Sequence, residues 1–152
     1  MLTAKDIMIK DVIVVQPDTA VEELASILVK NEISGVPVVD ESGALFGIVT
    51  ENDLISRNKR LHIPTVVSFL DANIYLESSK KFEQEVKRLT ATKVRDICTR
   101  KVVAITEDTT IMDIATIMSE KKVYLLPVVK AGKIVGIVGK RDMVKAAARQ
   151  AE

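Results

Sequence analysis

The chain has 152 residues and a mass of 16.7 kDa, a length that suits one domain or two small units sharing a core. Apolar residues make up 47% and charged residues 28%, which excludes a disordered chain. With 22 basic against 21 acidic side chains the net charge is +1, so no whole-protein charge draws it to nucleic acid or an acidic membrane.

The opening stretch, MLTAKDIMIKD, carries charges where a secretory signal needs an apolar run, and this reads as a cytoplasmic protein. A β-branched run at 12–15 predicts a first strand, ended by Pro17-Asp18-Thr19, where Asp18 or Thr19 is the candidate N-cap of a helix. Val21, Leu24, Ala25 and Leu28 then fall at helical spacing. Two strands, 36–39 and 45–49, flank the Ser42-Gly43 turn and predict a hairpin, and a closing helix begins near Glu51. Residues 58–92 follow as an ordered insertion. Pro64 breaks the chain there, 66–71 suggests a helical turn, 73–77 a strand, and 78–89 a solvent-facing helix with a capping Ser78.

After the insertion the first pattern returns. Residues 5–19 align with 95–109, and 33–40 with 123–130; removal of Ser42 then aligns 43–54 with 132–143. Identities include Asp6/Asp96, Thr19/Thr109, Ala25/Ala115, Pro37/Pro127, Gly47/Gly136 and Asp53/Asp142. The second copy therefore predicts a strand at 102–105 and a helix with Ile111, Ile114, Ala115 and Met118 on one face, capped by Asp108 or Thr109. Strands at 126–129 and 134–138 follow, and a closing helix starts near Lys140. Each copy is β-α-β-β-α, in units 1–57 and 93–152. A unit of that size is too small to bury its apolar face alone.

The chemistry lies where the second hairpin strand runs into the closing helix, at Gly47-Ile48-Val49-Thr50-Glu51-Asn52-Asp53 and Gly136-Ile137-Val138-Gly139-Lys140-Arg141-Asp142. A carboxylate in the first turn of a helix is favoured by the helix dipole and caps free backbone N–H groups. Its two oxygens also suit a vicinal diol, because each ribose hydroxyl can donate to one of them. Helix capping alone and diol binding are both open on this motif, and the recurrence of the whole block favours binding.

The unit resembles a CBS domain, and the two copies resemble a CBS pair, or Bateman module, of the stand-alone type with no attached enzyme. The resemblance covers 5–55 and 95–146 and rests on D-x-h-x-x-x-V, the S-G-x-P-V-V-D block and G-h-h-T-x-x-D. It implies an α+β fold in which two tandem β-α-β-β-α units pack with pseudo-twofold symmetry, and a homodimer of such chains. It also implies regulatory binding of adenosine compounds (AMP, ADP, ATP or S-adenosylmethionine) in two inter-unit clefts, signalling to an effector protein, with no cofactor required. Cleft one would combine Asp142, and Gly139, Lys140 and Arg141 beside it, with Met8, Ile13, Ile33, Ser34 and Pro37. Cleft two would combine Thr50 and Asp53 with Cys98, Val103, Val123, Tyr124 and Pro127.

The chain departs from the pattern in three places. Tyr124 stands where the first copy has Ser34, either stacking on a base or filling space. Gly139 replaces the expected hydroxyl, and Lys140 and Arg141 stand where the first copy has Glu51 and Asn52. These cations either neutralise phosphates or are ordinary solvated charge. If they reach the ligand, the Asp142 cleft is the tighter one for phosphorylated ligands.

Other chemistries lack their residues. Neither a Walker-type phosphate loop nor G-x-G-x-x-G occurs. The single histidine, His62, falls in the insertion, so no triad can be built on it. The single cysteine, Cys98, reads as an inert thiol in a reducing compartment. An enzyme is not indicated. Five aromatic residues and no Trp argue against a base-stacking platform for single-stranded nucleic acid. Two alternatives stay open: an interaction protein with vestigial clefts, and nucleic-acid binding through a local patch of Arg57, Lys59, Arg60, Lys80 and Lys81.

Overall fold

The computed structural model describes residues 1–57, 66–69, 72–75 and 91–151. In chain order the elements are α1 (Ala4–Ile7), α2 (Val21–Asn31), β1 (Gly35–Val39), β2 (Leu45–Thr50), α3 (Glu51–Arg57), β3 (Val66–Phe69) and β4 (Ala72–Tyr75). A 3-10 turn (Val94–Asp96), α4 (Ile111–Lys121), β5 (Leu125–Lys130), β6 (Lys133–Gly139) and α5 (Lys140–Ala151) follow. Each repeat thus supplies a helix, an antiparallel hairpin and a closing helix, in the mixed helix-and-strand fold expected.

The two hairpins share one register. Val36 faces Val49 and Pro37 faces Ile48 in the first; Leu126 faces Val138 and Pro127 faces Ile137 in the second. Both carry an irregularity at the same place, after Val38 and after Val128. The first turn is closed by Asp40, whose carboxylate accepts from the Ser42 hydroxyl (2.6 Å), the Ser42 N–H (2.9 Å) and the Ala44 N–H (3.0 Å). Gly43 at φ 84° supplies the left-handed backbone that this turn needs.

The first predicted strand of each repeat is instead a single bridge. Only Val15 pairs with β1, through Val15 N–H to Pro37 O (3.1 Å) and Val39 N–H to Val15 O (2.9 Å), and Ile105 repeats this against β5. The chain turns directly after each bridge, at Thr19 N–H to Gln16 O and Thr109 N–H to Thr106 O, so the parallel ladder cannot extend. The helix caps also lie later than expected. The Thr19 and Thr109 hydroxyls accept from the N–H groups of Gln16 and Thr106 and fix those turns. Ala20 and Thr110 are the N-caps, and only Thr110 caps with its side chain, accepting from Asp113 N–H at 3.2 Å. Asp18 pairs with Arg95 and Lys93.

Within the insertion, 66–69 is a strand rather than a helical turn. Val66–Phe69 pairs antiparallel with Ala72–Tyr75, Val67 opposite Ile74, as suits a β-branched run. The strand expected at 73–77 is thus present as β4. The helix expected at 78–89, Pro64, His62, Lys59, Arg60, Lys80 and Lys81 lie outside the described residues.

Two hydrophobic cores result, and each borrows from the other repeat. The first gathers Val15, Val21, Leu24, Leu28, Val36, Val38 and Val49 with Ala91, Val94 and Ile97 from ahead of the second repeat's helix. The second gathers Ile105, Ile114, Met118, Leu126, Val128 and Val138 with Ala4 from α1. The backbone repeats this exchange bond for bond. Ala4 N–H donates to Thr109 O (2.8 Å) and Val94 N–H to Thr19 O (2.9 Å). Ile9 pairs with Ile137 (2.9 and 3.0 Å) and Thr99 with Ile48 (2.8 and 2.9 Å). Every crossing bond named here has its equivalent, which is the pseudo-twofold symmetry expected of the duplication.

The exchange requires the glycines of the two hairpins. A Cβ on Gly47 would lie 2.7 Å from the Thr99 carbonyl oxygen and 3.1 Å from Cys98 Sγ, and one on Gly136 would meet the Met8 side chain. The missing side chains let the neighbouring segment lie directly on β2 and β6.

Candidate functional site

The space between the repeats is one continuous crevice of about 780 Å³ that contains the ends of β2 and β6 and the first turns of α3 and α5. Its apolar surface includes Ile9, Val12, Ile13, Ile48, Val102, Val103 and Ile137, the segments exchanged between repeats and the strands they cross. Both strand-to-helix motifs open into it.

At each motif the carboxylate turns back on its own strand. Thr50 N–H donates to Asp53 Oδ2 at 2.8 Å, with the Thr50 hydroxyl 3.4 Å from the same oxygen. Gly139 N–H donates to Asp142 Oδ2 at 2.7 Å. Each Asp therefore satisfies a backbone donor at the start of its helix, which is the capping role. The same bond fixes the rotamer, and both half-buried residues line the crevice. Capping and ligand binding are compatible here, because a carboxylate has lone pairs for several donors.

The crevice brings together most of the sequence-derived site residues. From the first set, Ile13, Ile33, Ser34, Gly139, Lys140, Arg141 and Asp142 line it; from the second, Thr50, Asp53, Val103, Val123 and Tyr124 do. Met8, Pro37, Cys98 and Pro127 lie elsewhere. Pro37 and Pro127 are fully buried within their hairpins, and Met8 and Cys98 pack over Gly136 and Gly47. Burial pushes the Cys98 thiol above its ordinary value of 9.0, so it stays protonated at neutral pH. Tyr124 is 46% exposed, and the Lys140 ammonium stands 4.9 Å from its ring centre. Tyr124 thus holds a cation at the rim.

Among the charged lining residues, sequence reasoning missed Asp11, Glu32, Lys101, Lys122 and Lys145. The available signal was the alignment of the copies, where Asp11 matches Lys101 and Glu32 matches Lys122. Glu32 and Lys122 occupy the same left-handed position after their helices, at φ 52° and 53°. Among the described residues no group of three or more His, Cys, Asp or Glu could hold a metal ion. No described helix is long and apolar enough to cross a membrane.

The duplicated hairpin-and-helix unit with a carboxylate at each strand-to-helix junction defines a paired-repeat module, and comparison with known proteins agrees. The CBS domain family model matches residues 4–60 and again 94–149, so this chain belongs to the CBS-domain family. It is 34% identical to the uncharacterized protein MJ1426 of Methanocaldococcus jannaschii, over 96% of this chain and 91% of that one. It is 35% identical to the chloroplastic CBS domain-containing protein CBSX1 of Arabidopsis thaliana, over 91% of this chain and 60% of that one. Among solved structures it is similar to CBSX2 in complex with AMP, with a TM-score of 0.77 and 25% identity over the whole of both chains. It is also similar to the CBS domain pair of MJ0100 in complex with 5′-methylthioadenosine and S-adenosyl-L-methionine, with a TM-score of 0.73 and 25% identity over 99% and 98% of the two chains.

Proposed function

We propose that the chain is a non-catalytic regulatory module that binds adenosine-containing ligands in the crevice and passes the occupancy to an effector protein. The observation that carries this reading is the pair of pre-oriented carboxylates, Asp53 and Asp142, each tied through Oδ2 to its strand and both lining one crevice with apolar walls. A ribose diol would donate to these carboxylates, and the adenine would lie against the aliphatic surface. The ligands held by CBSX2 and the MJ0100 pair support the adenosine class.

Of the two ends, the one at Asp142 is the tighter for phosphorylated ligands. Charge-assisted contacts from Lys140 and Arg141 contribute roughly 1.5–3 kcal/mol, against about 0.5–1.5 for the single hydroxyl contact missing at Gly139. The module acts as a homodimer in this reading. Support comes from Ile55 on α3 and Val144 on α5, apolar side chains at equivalent places that are 67% and 68% exposed. Nucleic-acid binding is the less supported reading, because Arg57 is engaged by the Ala91 carbonyl (2.8 Å) and by Glu22.

Thermal melting with adenosine, AMP, ATP and S-adenosylmethionine tests the proposal. A specific ligand at a hundredfold excess over its dissociation constant stabilises the fold by about 2.7 kcal/mol. Asp142→Ala should abolish the AMP response and Asp53→Ala should leave most of it. The reverse pattern refutes the assignment of ends, and no response to any adenosine compound refutes the function.

A further inference from the structure

The two hairpins differ at their open ends, where they meet the crevice. Gly35 pairs with Thr50 in the first, and Leu125 pairs with Gly139 at the equivalent place in the second. Large and small have changed strands between the repeats, and all four residues line the crevice. Packing across the repeats explains the change. A Cβ on Gly35 would lie 2.8 Å from Leu125 Cδ2, 2.9 Å from Thr50 Cγ2 and 2.8 Å from the Val49 carbonyl oxygen. Leu125 therefore reaches out of its own repeat into the hollow that Gly35 leaves in the other. The Thr50 methyl uses the same hollow, so a threonine in this position requires a glycine across its hairpin. A threonine at 139, placed as Thr50 is, would drive its methyl into the Cβ of Leu125. The leucine that joins the repeats thus excludes the threonine from the second junction.

The consequence is chemical. Thr50 brings a hydroxyl beside Asp53, 3.4 Å from Oδ2. Beside Asp142 the corresponding place is flanked by carbon: Leu125 Cδ1 and Asp142 Oδ2 both lie 3.6 Å from the point where a Cβ on Gly139 would stand. A sugar hydroxyl at this point meets a methyl group where the other end offers an oxygen, so its removal forfeits one hydrogen bond fewer. We propose that Leu125 makes the two ends unequal towards the sugar. The Asp142 end accepts deoxyadenosine compounds nearly as well as adenosine, whereas the Asp53 end selects the full ribose through the Thr50 hydroxyl. The proposal rests on the adenosine reading and adds the sugar class that each end takes.

The test is calorimetric titration of adenosine, 2′-deoxyadenosine and 3′-deoxyadenosine, none of which carries phosphate. Asp142→Ala leaves the Asp53 end to be read, Asp53→Ala leaves the Asp142 end, and a thermal melt checks that each variant is folded. The preference for adenosine over one of the deoxy compounds should be about three- to tenfold greater at the Asp53 end. Thr50→Val should remove that excess. Gly139→Ser, whose Cβ meets only ordinary contacts, should raise the preference at the Asp142 end. A ligand-free measurement tests the packing separately: Gly139→Thr should melt below Gly139→Ser, although threonine is ordinarily the better strand residue. Equal preference at the two ends, a preference indifferent to Thr50→Val and Gly139→Ser, or Gly139→Thr as stable as Gly139→Ser overturns the proposal. If neither the intact chain nor any variant binds adenosine, the adenosine reading itself falls.

Discussion

At the scale of single residues, the two motif glycines are constrained by what lies on them rather than by their own conformation. Gly47 faces a backbone carbonyl, that of Thr99, and a backbone can move only with its whole segment. Gly136 faces the Met8 side chain, whose Sδ and Cγ move on rotation about χ1 while its Cβ stays 3.1 Å away. Gly47→Ala should therefore destabilise the protein by about 1–3 kcal/mol and Gly136→Ala by distinctly less, as read by chemical denaturation. Equal losses would mean that Met8 is as fixed as the Thr99 backbone. The same close approach accounts for Cys98, which covers Gly47 and is shielded by the contact.

At the scale of elements, polar side chains set the turns, and several are carboxylates. Asp6 is lowered below its usual 3.8 by the Thr3 N–H and hydroxyl at α1, Asp18 by the Arg95 guanidinium, and Asp40 by the Ser42 hydroxyl and the N–H groups of the β1–β2 turn. A carboxyl whose folded value is depressed contributes stability above its unfolded value, here 3.8, and that contribution is lost as pH falls through the lower folded value. Stability should thus be flat from neutrality to about pH 5 and decline below pH 4. Asp40→Asn should make that decline shallower, as followed by urea melts at several pH values. An unchanged slope would show that the Asp40 turn contributes nothing to the acid response.

At the scale of the whole molecule, neither repeat is self-sufficient. The second core contains Ala4, fully buried, with Ile7 and Met8 packed against it, and the first contains Ala91 from the end of the insertion with Val94 and Ile97 from the second repeat. Orphan helix donors are also met across the exchange. Val21 N–H bonds Thr92 O (2.9 Å) and Ile111 N–H bonds Leu2 O (3.2 Å). A chain lacking residues 1–9 should lose cooperative melting of the second repeat, and a fragment of 93–152 should show little structure by circular dichroism. Cooperative folding of that fragment alone would contradict the exchange. In the proposed function such interdependence offers a route for signalling, because a ligand in the crevice would touch residues packed against both cores, Ile33 on the first and Val103 and Val123 on the second.

The sequence by itself determined the duplication, the hairpins and the closing helices. Alternating and helical apolar spacing is a local property, and two copies of the same spacing reinforce each other. It also singled out Asp53 and Asp142, because a carboxylate three residues past a strand end accepts from the backbone N–H that opens the next helix. Only the tertiary structure decided which segment covers which core. The runs at 12–15 and 102–105 have the composition of strands, yet backbone pairing is available to Val15 and Ile105 alone, since their neighbours line the crevice or turn away. Likewise Met8 and Cys98 belong to the packing over Gly136 and Gly47 instead of the crevice, a consequence of the exchange between repeats that no local pattern records. The opposed charges of Asp11/Lys101 and Glu32/Lys122 were visible in the aligned copies. That all four stand around one crevice only the fold decided, because they lie far apart in the chain.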